Sequence, residues 1–237
     1  MPPGTVGFII NTECAKEVAA LSALTKPYPS VQLNSRASFG GSQQSLDTKT
    51  LRRCGCGLVA VLDLLLYLSR TPAEPMPLEQ YRRMAHRLRR RFPLVYPFGT
   101  SGPVMALCLG LLLRRLGLPL RARWGVKWPQ LWEKMAEMLE ADLPVILAVG
   151  QNFPLPWGNH KLAFYRLGED GQYRLASRTK AHFVTVTGLG PQWMEVSSWG
   201  ERYYLSRTEY EEYTRRHSCR WFSNILYLSP KTRRNRP

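Results

Sequence analysis

Arg53-Cys54-Gly55-Cys56-Gly57-Leu58-Val59-Ala60-Val61-Leu62-Asp63-Leu64-Leu65-Leu66-Tyr67-Leu68 sets a cysteine at the mouth of a long apolar stretch, between two glycines and behind a basic residue. The stretch predicts a helix over 56–70 that ends before Thr71-Pro72. Being apolar nearly all round, it belongs in the middle of the molecule. The first N–H groups of a helix lack intrahelical acceptors and the macrodipole adds positive potential, so a thiol at Cys56 is expected to favour its thiolate. A nucleophile there needs a base, a group to orient the base and an oxyanion site.

Outward from this helix, the chain before it holds one helical segment, about Glu13–Leu24, then Pro27, Pro29 and a polar run with Gly40-Gly41. Residues 1–39 are too poor in apolar side chains for a core of their own and are expected to be an arm. Pro77 opens a helix over 77–91 with Arg82, Arg83, Arg87, Arg89, Arg90 and Arg91 on its wet side, and Ser101-Gly102-Pro103 opens another over 102–116, closed by Gly117 and Pro119. Pro129–Glu140 reads as an amphipathic helix. After Leu143 the texture changes. Val145–Val149 is a continuous apolar run of buried-strand type, and Leu162–Arg166, Phe183–Val186, Trp193–Val196, Arg202–Leu205 and Asn224–Leu228 read as strands divided by glycine turns, with one helix at about Thr208–Arg216. Helices first and strands afterwards imply an α+β fold, its N-terminal helices packed on one side of a C-terminal antiparallel sheet. The expected domain spans 40–229, followed by a basic tail over 230–237.

The 33 basic residues (25 Arg and 8 Lys) against 17 acidic ones give a net charge of +16. That excess has two readings: arginines scattered over solvated faces, or a surface for an anionic partner, nucleic acid or lipid. Aromatics are not interleaved with the basic runs as a single-strand binder would require. Five cysteines, an odd number, argue against a disulfide framework, and no His or Cys follows Cys54 and Cys56 at a zinc spacing. Neither a secretory leader nor a stretch long enough to span a bilayer is evident, and the expected location is cytoplasmic.

His182 opens a strand-like run, Ala181-His182-Phe183-Val184-Thr185-Val186-Thr187-Gly188, and an imidazole is the usual base for a thiol near neutral pH. The next strand closes on Val196-Ser197-Ser198-Trp199-Gly200, which a hairpin brings back beside His182.

In this order, Cys at a buried helix start, His-x-Val-x-x-x-Gly and x-Ser-Trp-Gly resemble the papain-like cysteine peptidases. The closer likeness is to the bacterial, bacteriocin-processing (C39-like) group, which has Cys-Gly at the nucleophile. The resemblance covers about residues 40–228 and is carried by three short motifs. It implies a papain-like fold, a peptide or protein substrate, no metal or organic cofactor, Cys56 as nucleophile and His182 as base. The orienting Asn or Asp of the family falls on Ser197, a departure: a serine accepts a hydrogen bond but brings no charge to the imidazolium. The family's oxyanion glutamine has no counterpart in Thr48–Arg53, which leaves Gln43 and Gln44, with Gln43 the candidate beside the Cys56 N–H. A degenerate member that binds a partner through its arginines, and a transglutaminase- or acyltransferase-like enzyme, remain alternatives.

Other titratable residues have plainer readings. His160 is a competing base in a Pro- and Gly-rich loop, and His86 and His217 read as solvated. Asp63, two turns after Cys56, reads as half of a buried pair with an arginine. Trp199 can wall the site from water or simply fill core, and 150–154 is a polar turn near the cleft.

Overall fold

The computed structural model describes residues 22–33, 35–69, 74–91 and 99–231. Its strands are β1 (Ser22–Ala23), β2 (Val31–Leu33), β3 (Arg36–Ala37), β4 (Met76–Pro77), β5 (Leu120–Trp124), β6 (Val145–Val149), β7 (Leu162–Leu167), β8 (Tyr173–Thr179), β9 (His182–Leu189), β10 (Trp193–Ser198), β11 (Glu201–Ser206) and β12 (Ile225–Pro230). Its helices are α1 (Lys49–Cys54), α2 (Cys56–Leu68), α3 (Leu78–Arg91), α4 (Gly102–Arg115), α5 (Leu131–Glu140) and α6 (Arg207–His217). The fold is α+β with a large antiparallel sheet. Among the described residues the order is β5-β12-β6-β9-β10-β11-β7-β8, with β1 also against β9, while β3-β2-β4 form a small second sheet.

The helices form where their ends are chemically marked. Thr48 and Ser206 cap α1 and α6 by accepting the N–H groups of Leu51 and Glu209. Helix α4 ends in a Schellman motif: Gly117 takes φ +69°, and the Leu118 N–H reaches the Leu113 carbonyl. Asp142 does the same for α5 at φ +56° and also takes the Lys26 ammonium at 2.5 Å. In α3 the buried residues Tyr81, Ala85 and Leu88 make one stripe, and Arg83, Arg87 and Arg90 face solvent.

Two apolar clusters sit on opposite faces of the sheet. Leu58, Leu62, Met105 and Leu109 of α2 and α4 meet Ile146, Leu226 and Leu228; Leu131, Met135, Tyr210 and Tyr213 of α5 and α6 meet Val145, Leu147, Val184 and Val186. Residues 145, 146 and 147 alternate between the two, as successive strand side chains must. The expectation of helices on one side is therefore corrected: α5 and α6 cover the second face. An all-apolar Val145–Val149 is what such two-sided coverage demands.

Several other expectations change. Most of the expected helix at Glu13–Leu24 lies outside the described residues, but Ser22–Ala23 is strand, paired with Leu189 and Gly188. Pro230, placed by sequence in the tail, ends β12 opposite Leu120; 232–237 lie outside the described residues. Strands β5 and β8 and helix α1 were not expected. Edge strand β8 is largely exposed and carries Arg174 and Arg178, so it has no apolar face to announce it. No helix among the described residues is long and apolar enough to cross a membrane.

Candidate active site

Gly55 makes the break that puts Cys56 at a helix start. Its N–H closes α1 on the Leu51 carbonyl and its own carbonyl accepts the Val59 N–H of α2, while a Cβ there would stand 2.3 Å from the Leu51 oxygen. Cys56 lies on the floor of a cleft of about 350 Å³, between the starts of α2 and α4 on one side and the end of β6 and the start of β9 on the other. Arg53, Cys54, Trp124, His182 and Trp221 share its walls.

Burial pushes the Cys56 thiol above its ordinary value, although the backbone N–H groups of Phe183 and Gly57 pull it part of the way back. The expected thiolate is thus corrected: desolvation outweighs the helix start, and the resting group is a thiol.

His182 begins β9 opposite Val149, just after Ala181, which takes φ +50°. Its ring stacks on the Trp199 indole with centroids 4.6 Å apart and planes 16° apart, and Phe164 presents an edge at 6.3 Å. Burial lowers its pKa to about 3, so the imidazole is neutral. Trp199 and Gly200, at φ +51° and +80°, form the two-residue loop between β10 and β11, since Ser198 pairs with Glu201. Two non-glycine residues with positive φ, Ala181 and Trp199, therefore flank the imidazole, and such strain gathers where geometry serves function. Trp199→Ala is expected to admit water and raise the His182 pKa from about 3 toward 6.5 in an NMR titration; a ring still titrating near 3 would mean that Trp199 does not keep it dry.

The group that meets the imidazole is Ser198, with Oγ 2.8 Å from Nε2, and not Ser197, whose Oγ donates to the Phe39 carbonyl at 2.8 Å. A bulge explains the exchange. Glu195 pairs with Gly188 but Val196 pairs with Val186, so Thr187 is skipped. Without that extra residue Ser197 would lie opposite Val186, on the face of β9 that carries His182. The one-residue shift hands the position to Ser198.

Of the two glutamines, Gln44 is exposed and Gln43 is buried in the 3-10 turn Gln43–Ser45, its Nε2 donating to the Arg52 carbonyl at 2.8 Å. Gln43, Cys56, Asp63, His182, Ser197 and Ser198 surround a second pocket of about 10 Å³ behind the cleft, room for about one water molecule. The expected residues thus converge, but no hydrogen bond joins Cys56 to His182 among the described residues. Helix α2 packs on one face of the sheet, while His182 lies with Val184 and Val186 on the other and meets the cleft only because it is the first residue of its strand.

Asp63 is also corrected: no arginine pairs with it among the described residues, and it accepts the Gly41 N–H and the Tyr81 hydroxyl, each at 2.8 Å. His160 stacks on His217 at 3.7 Å in a pair outside both pockets. His86 Nε2 meets the Asp47 carboxylate. Among the described residues no three His, Cys, Asp or Glu side chains gather as a metal would require. No protein-family model matches the chain, and no curated protein matches it significantly.

Proposed function

We propose that this chain is a papain-like, thiol-dependent peptidase or amide hydrolase of C39-like type, acting on a peptide or protein. The observation that carries the reading is one cleft walled by a helix-start cysteine and a strand-start histidine, with the Phe183 N–H facing the sulfur. Because the resting pair is thiol and neutral imidazole, attack and deprotonation proceed together. In the tautomer this mechanism uses, His182 Nε2–H donates to Ser198 Oγ, 2.8 Å away, and Nδ1 is the bare base. The Cys56 proton passes to Nδ1, directly or through one water in the pocket between them, as sulfur bonds to the carbonyl carbon. The oxyanion is met by the N–H groups at the start of α2 and the second N–H of Gln43. Collapse breaks the C–N bond, His182 returns the proton to the leaving amine, and water hydrolyses the thioester. None of these steps calls on a metal or organic cofactor.

The test uses p-nitrophenyl acetate, which needs no side-chain specificity. A burst of nitrophenolate and an acetyl adduct mapped to Cys56 are expected in the wild type and in Cys54→Ala, and neither in Cys56→Ala. An adduct on Cys54 alone would overturn the nucleophile assignment. A second reading, a catalytically silent module binding an anionic partner through the exposed Lys49, Arg52, Arg83, Arg87 and Arg90, is favoured by the missing Cys56–His182 hydrogen bond. Salt-dependent retention on nucleic acid or anionic vesicles with no burst would favour it.

A further inference from the structure

Asp63 is the single buried carboxylate among the described residues, and no cation faces it. A carboxylate taken out of water with no cation beside it is unfavourable unless hydrogen bonds replace its hydration. What the carboxylate obtains in return is a clamp on three elements. From α2, Oδ1 takes the Tyr81 hydroxyl of α3, and Oδ2 takes the N–H of Gly41, in the 38–43 strap that leads to Gln43.

The strap lies too close for side chains. Gly40 has φ +77°, and a Cβ there would stand 2.7 Å from Asp63 Oδ2 and 2.3 Å from Ser197 Oγ. A Cβ on Gly41 would fall 1.9 Å from Tyr81 Oη. The strap is tied further by Ser197 Oγ on the Phe39 carbonyl and by Gln43 Nε2 on the Arg52 carbonyl, and Asp63 reaches the same small pocket as Cys56 and His182.

We propose that Asp63 is a positioning residue of this site: its ionised carboxylate, through the Gly41 N–H, holds the strap that carries Gln43 against the start of the Cys56 helix. The proposal rests on the reading of Cys56 as nucleophile. Protonation weakens the clamp, because a bond to a charged acceptor is about twice as strong as one to a neutral group. Burial raises the Asp63 carboxyl to about 7, with the Gly41 and Tyr81 hydrogen bonds opposing the rise. The other titratable groups that face it are Tyr81 from α3, Tyr28 from the segment before β2, and Cys56 and His182 across the pocket. Both tyrosines are held well above the ordinary phenol range by burial and remain neutral donors.

Two measurements test this on the full chain. The first is the pH dependence of acylation by p-nitrophenyl acetate. The wild type is expected to lose rate as the pH falls through about 7. Tyr81→Phe removes a donor to the charged form, so the same limb should move up by roughly half to one unit. Asp63→Asn should abolish the limb and slow acylation by about 10-fold or more. The second is hydrogen exchange at the Gly41 amide, which needs no catalysis. After correction for intrinsic rates, its protection should fall as the pH drops through about 7 in the wild type, and at higher pH in Tyr81→Phe. Protection that is constant across this range in the wild type, or a limb that Tyr81→Phe leaves in place, would overturn the proposal. Loss of the acylation burst alone, with the exchange transition intact, would count against the nucleophile and not against the clamp.

Discussion

His182→Ala is expected to slow acylation of Cys56 by about 10²- to 10⁴-fold at pH 7.5, the usual worth of a positioned general base. Cys56→Ala should remove the reaction altogether. The loss at His182 is of this size because nothing else in the cleft can take the proton. The carboxylate of Asp63 is already committed to Gly41 and Tyr81, and the thiol by itself lies above its ordinary value. The direction with pH follows. In His182→Ala the residual rate should rise with alkaline pH as the thiolate forms unaided, because burial holds the Cys56 thiol above its ordinary value. In the wild type the histidine is neutral down to about 3, so no acid limb near 6.5 is expected from it. Stopped-flow release of nitrophenolate across pH 5–10 checks both. A limb near 6.5 that persists in Asp63→Asn would mean that the ring is wetter in solution than its stacking on Trp199 implies.

The second large effect concerns stability. His182 has a folded pKa of about 3 against 6.5 when unfolded, so below 6.5 the unfolded chain takes a proton that the native state refuses, and stability is lost as the pH falls. Asp63 has a folded pKa of about 7 against 3.8, so above 3.8 the unfolded chain releases a proton that the native state keeps, and stability is lost as the pH rises toward 7. Each span is worth on the order of 4 kcal/mol, and between 3.8 and 6.5 the two slopes oppose one another. Asp63→Asn should expose the histidine slope, with the difference from wild type growing by about 1.4 kcal/mol per pH unit of acidification within that window. His182→Ala should expose the opposite slope. Guanidinium midpoints for the three proteins at pH 4, 5 and 6 measure the differences directly. Variants that run parallel to the wild type would mean that neither group is as dry as the packing makes it.

The parts of the fold legible beforehand are those with strong local patterns. The Cys56–Leu68 helix is apolar on every side, α3 carries a three-residue apolar stripe among arginines, and Val145–Val149 begins and ends where its apolar run does. In each case the side chains of one short segment decide what that segment can bury. Elements without such a pattern were missed: β8 is nearly all exposed, and β1 through β4 are only two or three residues long and exist only because a partner strand is beside them.

The site divides along the same line. The residues themselves determined that a cysteine stands between glycines at a helix start, that a histidine opens a strand, and that a serine precedes Trp199-Gly200 at a turn, because glycine punctuation and apolar period are local properties. Only the tertiary structure decided which serine meets the imidazole, since that depends on one extra residue, Thr187, in the pairing of β9 with β10. Only the tertiary structure decided that Cys56 rests as a thiol, since the dipole of its own helix is a local term while desolvation comes from the packing of the whole chain around it. And only there does Asp63 exchange its expected arginine for a glycine N–H and a tyrosine hydroxyl, because hydrogen bonds from residues 22 positions before it and 18 after it come together only once α2 and α3 have packed.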